Sequence, residues 1–472
     1  MERIKRKKLT TRDKALLVNL DERKYGTIVE IGAGQEVARE FFRAGAAAGT
    51  IAKTMSAYDM QFSNAIYGAD PNGRYVSRSR LCAMLEREFS QVVDRVQDTR
   101  PKSSTFFAYA ATVAAKSFNR DNECHAWSGI RVQLYPEAPP SDIIVHVRML
   151  DEDANAQQEA LGVLGVNLIY GAYFLYEDPR ELIDSLTDGI GTDRLEIDSI
   201  EFFGPYFEDE DNRCLNLHLI RSWKTRAIMF NPEGKVCVPS ELLYKNNILV
   251  MRGAFKPFTK INEDMMAQGM KEFSSLHGIS RDNTLMLAEI TLNQLVGNNE
   301  NVDDRDFVER VDQLTALGYH VMISDYVRYF RLRAYFRQFT QKQIGLVMGM
   351  SNIRQIFDED FYRGVPGGIM EGLGKLFPDN TIVYAYPELD SDDEEISYQN
   401  IELPNHLMHL YRHLIENGFL RGINDSNAAL FHIQSREVLQ GIQEGIEGWE
   451  DDVPEPVAAL IKEQRLFGYR SR

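Results

Sequence analysis

At about 150 residues per domain, 472 residues are enough for two or three domains, which excludes a small scaffold dependent on disulfides or metal. Hydrophobic residues make up 44% and charged residues 26%, the balance of a folded globular chain rather than a disordered or collagenous one. With 53 basic against 70 acidic residues the net charge is -17, which repels phosphate backbones and speaks against general nucleic-acid binding.

Residues 1–22 read as a basic arm; MERIKRKKLTTRDK lacks the apolar segment and cleavage site of a secretory signal. An α+β domain is expected over 23–211. Within it, 27–31 predict a short buried strand, Gly32-Ala33-Gly34 a turn, and 35–43 an apolar helix. The small-residue stretch 44–52 predicts a helix continuing through 67, ADPNGRYVSRSR a turn, and about 80–96 a further helix. Residues 106–116 are apolar or small throughout, and periodicity leaves strand and helix both open. The β-branched runs 127–135 and 143–149 flank the proline-rich EAPPSD and predict an antiparallel pair. Helices at 155–175 and 179–187 and a strand at 194–203 complete this half. The uncharged run 160–176 carries Gly162, Gly165, Asn167 and Gly171 and falls short of a membrane span, so a buried helix is expected. Cys82, Cys124, Cys214 and Cys237 form no C-x-x-C pair, which fits a reducing cytoplasm.

From 212 to 472 strand and helix patterns alternate. Strands are predicted at 227–230, 247–252, 284–290, 320–324, 344–348 and 381–386, with helical patterns such as 307–317 and 326–339 between several of them. The class predicted is α/β, a mostly parallel doubly wound sheet with a helical C-terminal extension. Ligands of such sheets bind beyond the carboxyl ends of the strands, so chemistry is expected after Arg252, Ile290, Ser324 and Met348.

NNILVMR runs into Gly253-Ala254-Phe255-Lys256-Pro257-Phe258-Thr259-Lys260-Ile261-Asn262, with a helical pattern from about Glu263. A strand, a Gly/Pro loop and a helix start gather backbone N–H donors that favour phosphate. The segment resembles the G-x-F-x-P-x-[HT]-x-G-H motif of the nucleotidylyltransferase superfamily, exemplified by nicotinate-nucleotide adenylyltransferases. Gly253, Phe255, Pro257 and Thr259 match; Ile261 and Asn262 replace the closing Gly-His. Met350-Ser351-Asn352-Ile353-Arg354 resembles the family's S-x-x-x-I-R element, one residue short. The resemblance spans about 245–390, and the chain as a whole resembles an uncharacterised bacterial family.

That resemblance implies ATP and magnesium as cofactors, a small phosphorylated second substrate, and catalysis by positioning and charge neutralisation. It implies that Gly253, Phe255 and Pro257 shape the nucleotide site with Ser351, and that Thr259, Asn262 and Arg354 are catalytic. Asn262 can donate a hydrogen bond where the family's histidine carries charge.

Several further patterns admit two readings. Gly367 and Gly368, between Arg363 and Lys375, suit a phosphate cradle or a plain connection, and lack the GK[ST] ending of a P-loop. Val29-Glu30-Ile31-Gly32-Ala33-Gly34 resembles the first motif of methyltransferases and dinucleotide-binding proteins. There, Val37 replaces the third glycine and TIAKTMSAYDM reads as helix where a second strand belongs. Arg74, Arg78 and Arg80 suit an anion or a solvated turn. Asp325, near Arg328, suits a metal, a ribose hydroxyl or a helix cap. His406, His409 and His413 share a helical face, but one helix rarely gives zinc three ligands, so a surface stripe and no metal site are expected; Cys214 and His218 are read likewise. The function expected is a cytoplasmic, homo-oligomeric nucleotide-binding protein of nucleotidyltransferase type, without a membrane span. A non-catalytic oligomeric scaffold with a degenerate nucleotide site and a methyltransferase are the alternatives.

Overall fold

The computed structural model describes residues 8–32, 34–71, 73–117, 123–191, 193–296, 302–378, 380–390 and 392–470. The chain forms two compact units, Met1–Thr225 and Arg226–Arg472.

The first unit is built on β1 (Lys24–Ile31), β2 (Ile51–Ala57), β3 (Thr105–Ala114), β4 (His125–Val132), β5 (Ser141–Met149) and β6 (Leu195–Phe203), in the order β2-β1-β3-β4-β5-β6. β1 runs parallel to β2 and β3; from β3 to β6 neighbours are antiparallel, including the expected β4–β5 pair. The helices are α1 (Thr11–Asn19), α2 (Glu36–Ala44), α3 (Met60–Tyr67), α4 (Arg78–Val96), α5 (Ala154–Phe174), α6 (Pro179–Ser185) and α7 (Asn212–Arg221). The undecided 106–116 segment is β3. Its Phe107, Tyr109, Ala111 and Val113 enter the main core, while Phe106 and Ala108 pack with Phe89 and Val92 of α4 on the other face. Burial on both faces removes the polar alternation that marks a half-exposed strand. Gly162 and Gly165 let α5 approach α2, since a Cβ at 165 lies 2.4 Å from Val37 Cγ2.

Three expectations change in this unit. The 44–67 stretch is not one helix: α2 ends at Gly45 (φ 89°), a short turn follows at Ala47–Gly49, and the chain enters β2 before α3. β2 is an edge strand with a partly exposed middle, so it lacks the apolar signal of a central strand. The basic arm, of which 1–7 lie outside the described residues, contains α1. Its Lys14 is buried, with Nζ 2.7 Å from Asp188 and 2.8 Å from Asn167 Oδ1. The division between units falls after Thr225 rather than at 212 because α7 belongs to β6: the Asn216 side chain accepts from Ile200 N–H and donates to its carbonyl.

The second unit contains β7 (Ala227–Phe230), β8 (Val236–Cys237), β9 (Asn247–Arg252), β10 (Thr284–Thr291), β11 (His320–Ser324), β12 (Ile344–Gly349), β13 (Thr381–Tyr386), the pair β14 (Glu388–Leu389) and β15 (Glu395–Ile396), and β16 (Leu420–Gly422). Its helices are α8 (Pro239–Leu243), α9 (Lys260–Ser274), α10 (Leu292–Leu295), α11 (Asp304–Ala316), α12 (Tyr329–Phe336), α13 (Met350–Ile356), α14 (Gly368–Leu376), α15 (Asn405–Glu416), α16 (Ser435–Glu444) and α17 (Glu455–Gln464). The sheet order is β16-β13-β12-β9-β10-β11-β7-β8, parallel from β16 to β11 and antiparallel at β7 and β8. The mostly parallel α/β sheet is therefore as expected.

Starting from β9, the chain adds β10 and β11 on one side, then β12, β13 and β16 on the other, so the direction of strand addition reverses between β9 and β12. α9 packs close over β12 because Gly269 has no side chain there; a Cβ would lie 2.5 Å from Val347 Cγ2. Toward the C-terminus α16 and α17 bring together a core of Ile442, Trp449, Val457 and Ile461, which packs against Ile261 of α9 and Leu317 after α11.

Candidate functional site

The loop 253–259 leaves the carboxyl end of β9 and leads into α9. It is pinned from below. Gly253 N–H donates to the Glu289 carbonyl at 3.0 Å, and Phe258 N–H donates to Gln313 Oε1 at 2.8 Å, while Gln313 Nε2 donates to the Phe255 carbonyl. Arg310 donates to the Ala254 carbonyl at 3.1 Å. Phe255 sits in the left-handed region (φ 46°) with its ring buried, and Pro257 follows a cis peptide bond. Thr259 is buried at the N-cap of α9; its N–H and its hydroxyl both donate to Asn262 Oδ1, at 3.1 and 3.0 Å. Of the loop amides, those of Ala254, Phe255 and Lys256 take no partner among the described residues, and Ala254 is exposed.

On the neighbouring strand end, β12 runs into α13, which carries Ser351 and Arg354, both exposed. Met251 and Val347 are register partners, so the two predicted elements rise from adjacent strands. The start of α13 faces a carboxylate of the chain itself: Glu388 interacts with the Ser351 backbone and side chain and with Arg354, and its Oε2 lies 3.0 Å from where a Gly349 Cβ would stand. Burial raises the Glu388 carboxyl above its ordinary range, with Arg354 and Ser351 opposing.

At the paired ends of β9 and β10, where the 253–259 loop begins, lies an ion pair that no motif in the sequence marks. Glu289 of β10 is fully buried and accepts two hydrogen bonds from Arg252, plus one from Ser324 Oγ at 2.6 Å. A single acid inside the apolar run TLMLAEIT was the available signal, since an isolated charge in a buried strand needs a partner. Gln313 is legible only in three dimensions, because its partners lie on a distant loop.

The other candidates fall elsewhere. Gly367 N–H donates to Glu371 Oε2 at 2.8 Å and Gly368 N–H to the Val365 carbonyl at 2.9 Å, so both amides are engaged within their own turn. Arg328 links that segment to the β11 end, donating to the carbonyls of Phe361 and Arg363 at 2.9 and 2.6 Å. Asp325 accepts from Arg226 at 2.8 Å. Arg78 pairs with Glu201 at 2.7 Å and Arg80 is buried against Ser63, so these arginines hold the fold of the first unit. His406, His409 and His413 are exposed along α15, and His218 bonds Asp184 at 2.8 Å.

In the first unit the glycine turn after β1 does precede a parallel strand, β2, contrary to expectation. Its Ala33 lies outside the described residues. The first amides of α2 are already occupied: Val37 and Ala38 donate to Glu30 at 3.2 and 3.3 Å, and burial pushes the Glu30 carboxyl up to about 7. On β4 to β6, Asp198 contacts buried His146 Nδ1 at 2.5 Å, and His146 Nε2 lies 3.0 Å from His125 Nδ1.

No family model matches the chain, and no curated protein sequence does. Among solved structures it is similar to the nicotinic acid mononucleotide adenylyltransferase of Plasmodium falciparum complexed with APC, at 13% identity over 48% of this chain and 98% of that one, with a TM-score of 0.29. A putative nicotinate-nucleotide adenylyltransferase from Vibrio parahaemolyticus matches at 12% identity over 47% of this chain and 96% of that one, TM-score 0.22. The competence/damage inducible protein CihA from Agrobacterium tumefaciens matches at 13% identity over 34% and 93%, TM-score 0.26. Identities and TM-scores this low say nothing of function. No helix among the described residues is long and apolar enough to cross a membrane.

Proposed function

We propose that the second unit binds ATP with magnesium in the crevice where β9 and β12 end, as a nucleotidyltransferase-like protein acting on a small phosphorylated substrate. The observation that carries this reading is the reversal of strand order between β9 and β12. It sets the 253–259 loop and the Ser351–Arg354 turn of α13 on adjacent carboxyl ends, the place where open parallel sheets of this order take their ligands.

The amides of Ala254, Phe255 and Lys256 receive phosphate oxygens, with Gly253 and Pro257 setting the turn and Gln313 holding Phe255 in its left-handed conformation. Arg354 supplies the charge that the absent histidine does not. Thr259 and Asn262 fix the start of α9, and Ser351 exchanges Glu388 for a phosphate oxygen. Bound magnesium supplies further neutralisation of the phosphates.

A non-catalytic, oligomeric role for the same unit is favoured by a different observation: the chain's own groups already satisfy much of the site, Glu388 at α13 and Asn262 at α9. Calorimetry of the full chain with ATP and magnesium tests the shared premise. Binding that weakens at least tenfold in Arg354→Ala supports it, and no heat at millimolar ATP refutes it. Pyrophosphate release in the presence of small phosphorylated compounds then separates the enzyme from the non-catalytic protein, whose mass by light scattering is that of an oligomer.

A further inference from the structure

At the carboxyl end of β11, beside the start of β7, the second unit has a cleft of about 420 Å³ lined by Arg226, Asp325, Arg328, Arg331 and Asp360. That volume suits a small molecule. The charges do not cancel. Asp325 is neutralised by Arg226 at 2.8 Å, and Asp360 by Arg363 at 2.9 Å. Arg328 donates only to neutral carbonyls, those of Phe361 and Arg363, and exposed Arg331 has no side-chain partner among the described residues. Two positive charges therefore remain in one cleft of a chain whose net charge is -17.

Arg226 is held at the wall of the cleft by its pair with Asp325, and its guanidinium lies 5.1 Å from the centroid of the Tyr326 ring. Guanidinium groups are planar forks that match a tetrahedral oxyanion through paired hydrogen bonds. Val327 and Phe361 line the same cleft and offer apolar surface to whatever carries the anion.

We propose that this cleft binds a phosphate monoester of a small molecule, with Arg328 and Arg331 matching the dianion. The site is separate from the crevice between β9 and β12 and does not depend on the nucleotide reading.

Calorimetry of the full chain with glycerol 3-phosphate, inorganic phosphate and succinate tests it. The ester and inorganic phosphate bind, and succinate, with the same charge on two planar carboxylates, binds at least tenfold more weakly. Arg331→Ala weakens the ester by about tenfold or more, as expected for a lost charge-assisted pair, and Arg331→Glu abolishes binding. Arg331 is exposed, so both variants keep the wild-type circular dichroism and melting temperature. Arg354→Ala leaves the ester's affinity unchanged, whatever it does to ATP. The proposal is overturned if no phosphate compound binds at millimolar concentration, if succinate matches the ester, or if Arg354→Ala weakens the ester and Arg331→Ala does not.

Discussion

Arg252 and Glu289 meet through two parallel hydrogen bonds, Nε to Oε2 at 2.8 Å and Nη2 to Oε1 at 2.9 Å, across the paired ends of β9 and β10. The same guanidinium donates to the carbonyls of Tyr326 and Val327, each at 2.6 Å, and lies 4.3 Å over the Tyr329 ring. One buried ion pair thus fastens the chain after β11 to the floor beneath the 253–259 loop. Arg252→Met leaves a buried carboxylate without its counter-charge, and denaturant unfolding should show a loss of about 3–5 kcal/mol. Adding Glu289→Leu should recover most of it, because an apolar pair does not need the bond. A single-variant loss below about 1 kcal/mol is incompatible with a buried, unscreened pair.

Gln313 satisfies two backbone groups of a loop that no secondary structure stabilises. Gln313→Leu keeps the volume and removes both bonds, leaving the Phe258 amide and the Phe255 carbonyl buried and unpaired. A loss of about 1–3 kcal/mol is expected. Hydrogen exchange at the Phe258 amide should accelerate in the variant, and unchanged exchange there would contradict the role given to Gln313.

Glu30 makes the first unit sensitive to alkali. Its folded carboxyl is raised to about 7 from 4.5, first by burial, so the folded state holds a proton that the unfolded chain releases. The stabilisation is complete below about pH 4.5 and is lost as pH rises through about 7. Glu30→Gln should flatten the stability profile between those limits. A wild-type profile already flat there would refute the assignment.

His125 has the opposite sign. Burial and neighbouring His146 lower it to about 4 from 6.5, with Arg74 and Arg148 acting in the same direction and Asp198 against. The unfolded chain then binds the proton more readily, so this contribution is present above about pH 6.5 and is lost as pH falls toward 4. Chemical-shift titration should find the His125 ring neutral at pH 6, and a protonated ring there would overturn this reading.

In the second unit 227–230, 247–252, 320–324 and 381–386 are strands over those same residues, legible because strands buried on both faces are continuous apolar runs, the antiparallel β7 as much as the three parallel ones. β2 was not legible, since an edge strand of Ala, Lys, Thr and Ser carries neither alternation nor an apolar run. The 253–259 loop and the Ser351–Arg354 segment were legible as local motifs, and their adjacency was not, because it depends on the sheet order. What binds the inner side of those motifs was also hidden. Glu388, Gln313 and Glu289 lie far along the chain from the groups they hold, and only Glu289, like Glu30, announced itself as a lone acid in a buried strand.

Hydrogen exchange of the full chain with and without ATP and magnesium is the most direct measurement of whether the crevice between β9 and β12 holds a nucleotide. The amides of Ala254, Phe255 and Lys256 and those of α13 should slow together on addition of nucleotide, and the slowing should vanish in Arg354→Ala. Exchange unchanged at both elements under saturating nucleotide, or protection confined to the first unit, would contradict the nucleotide site.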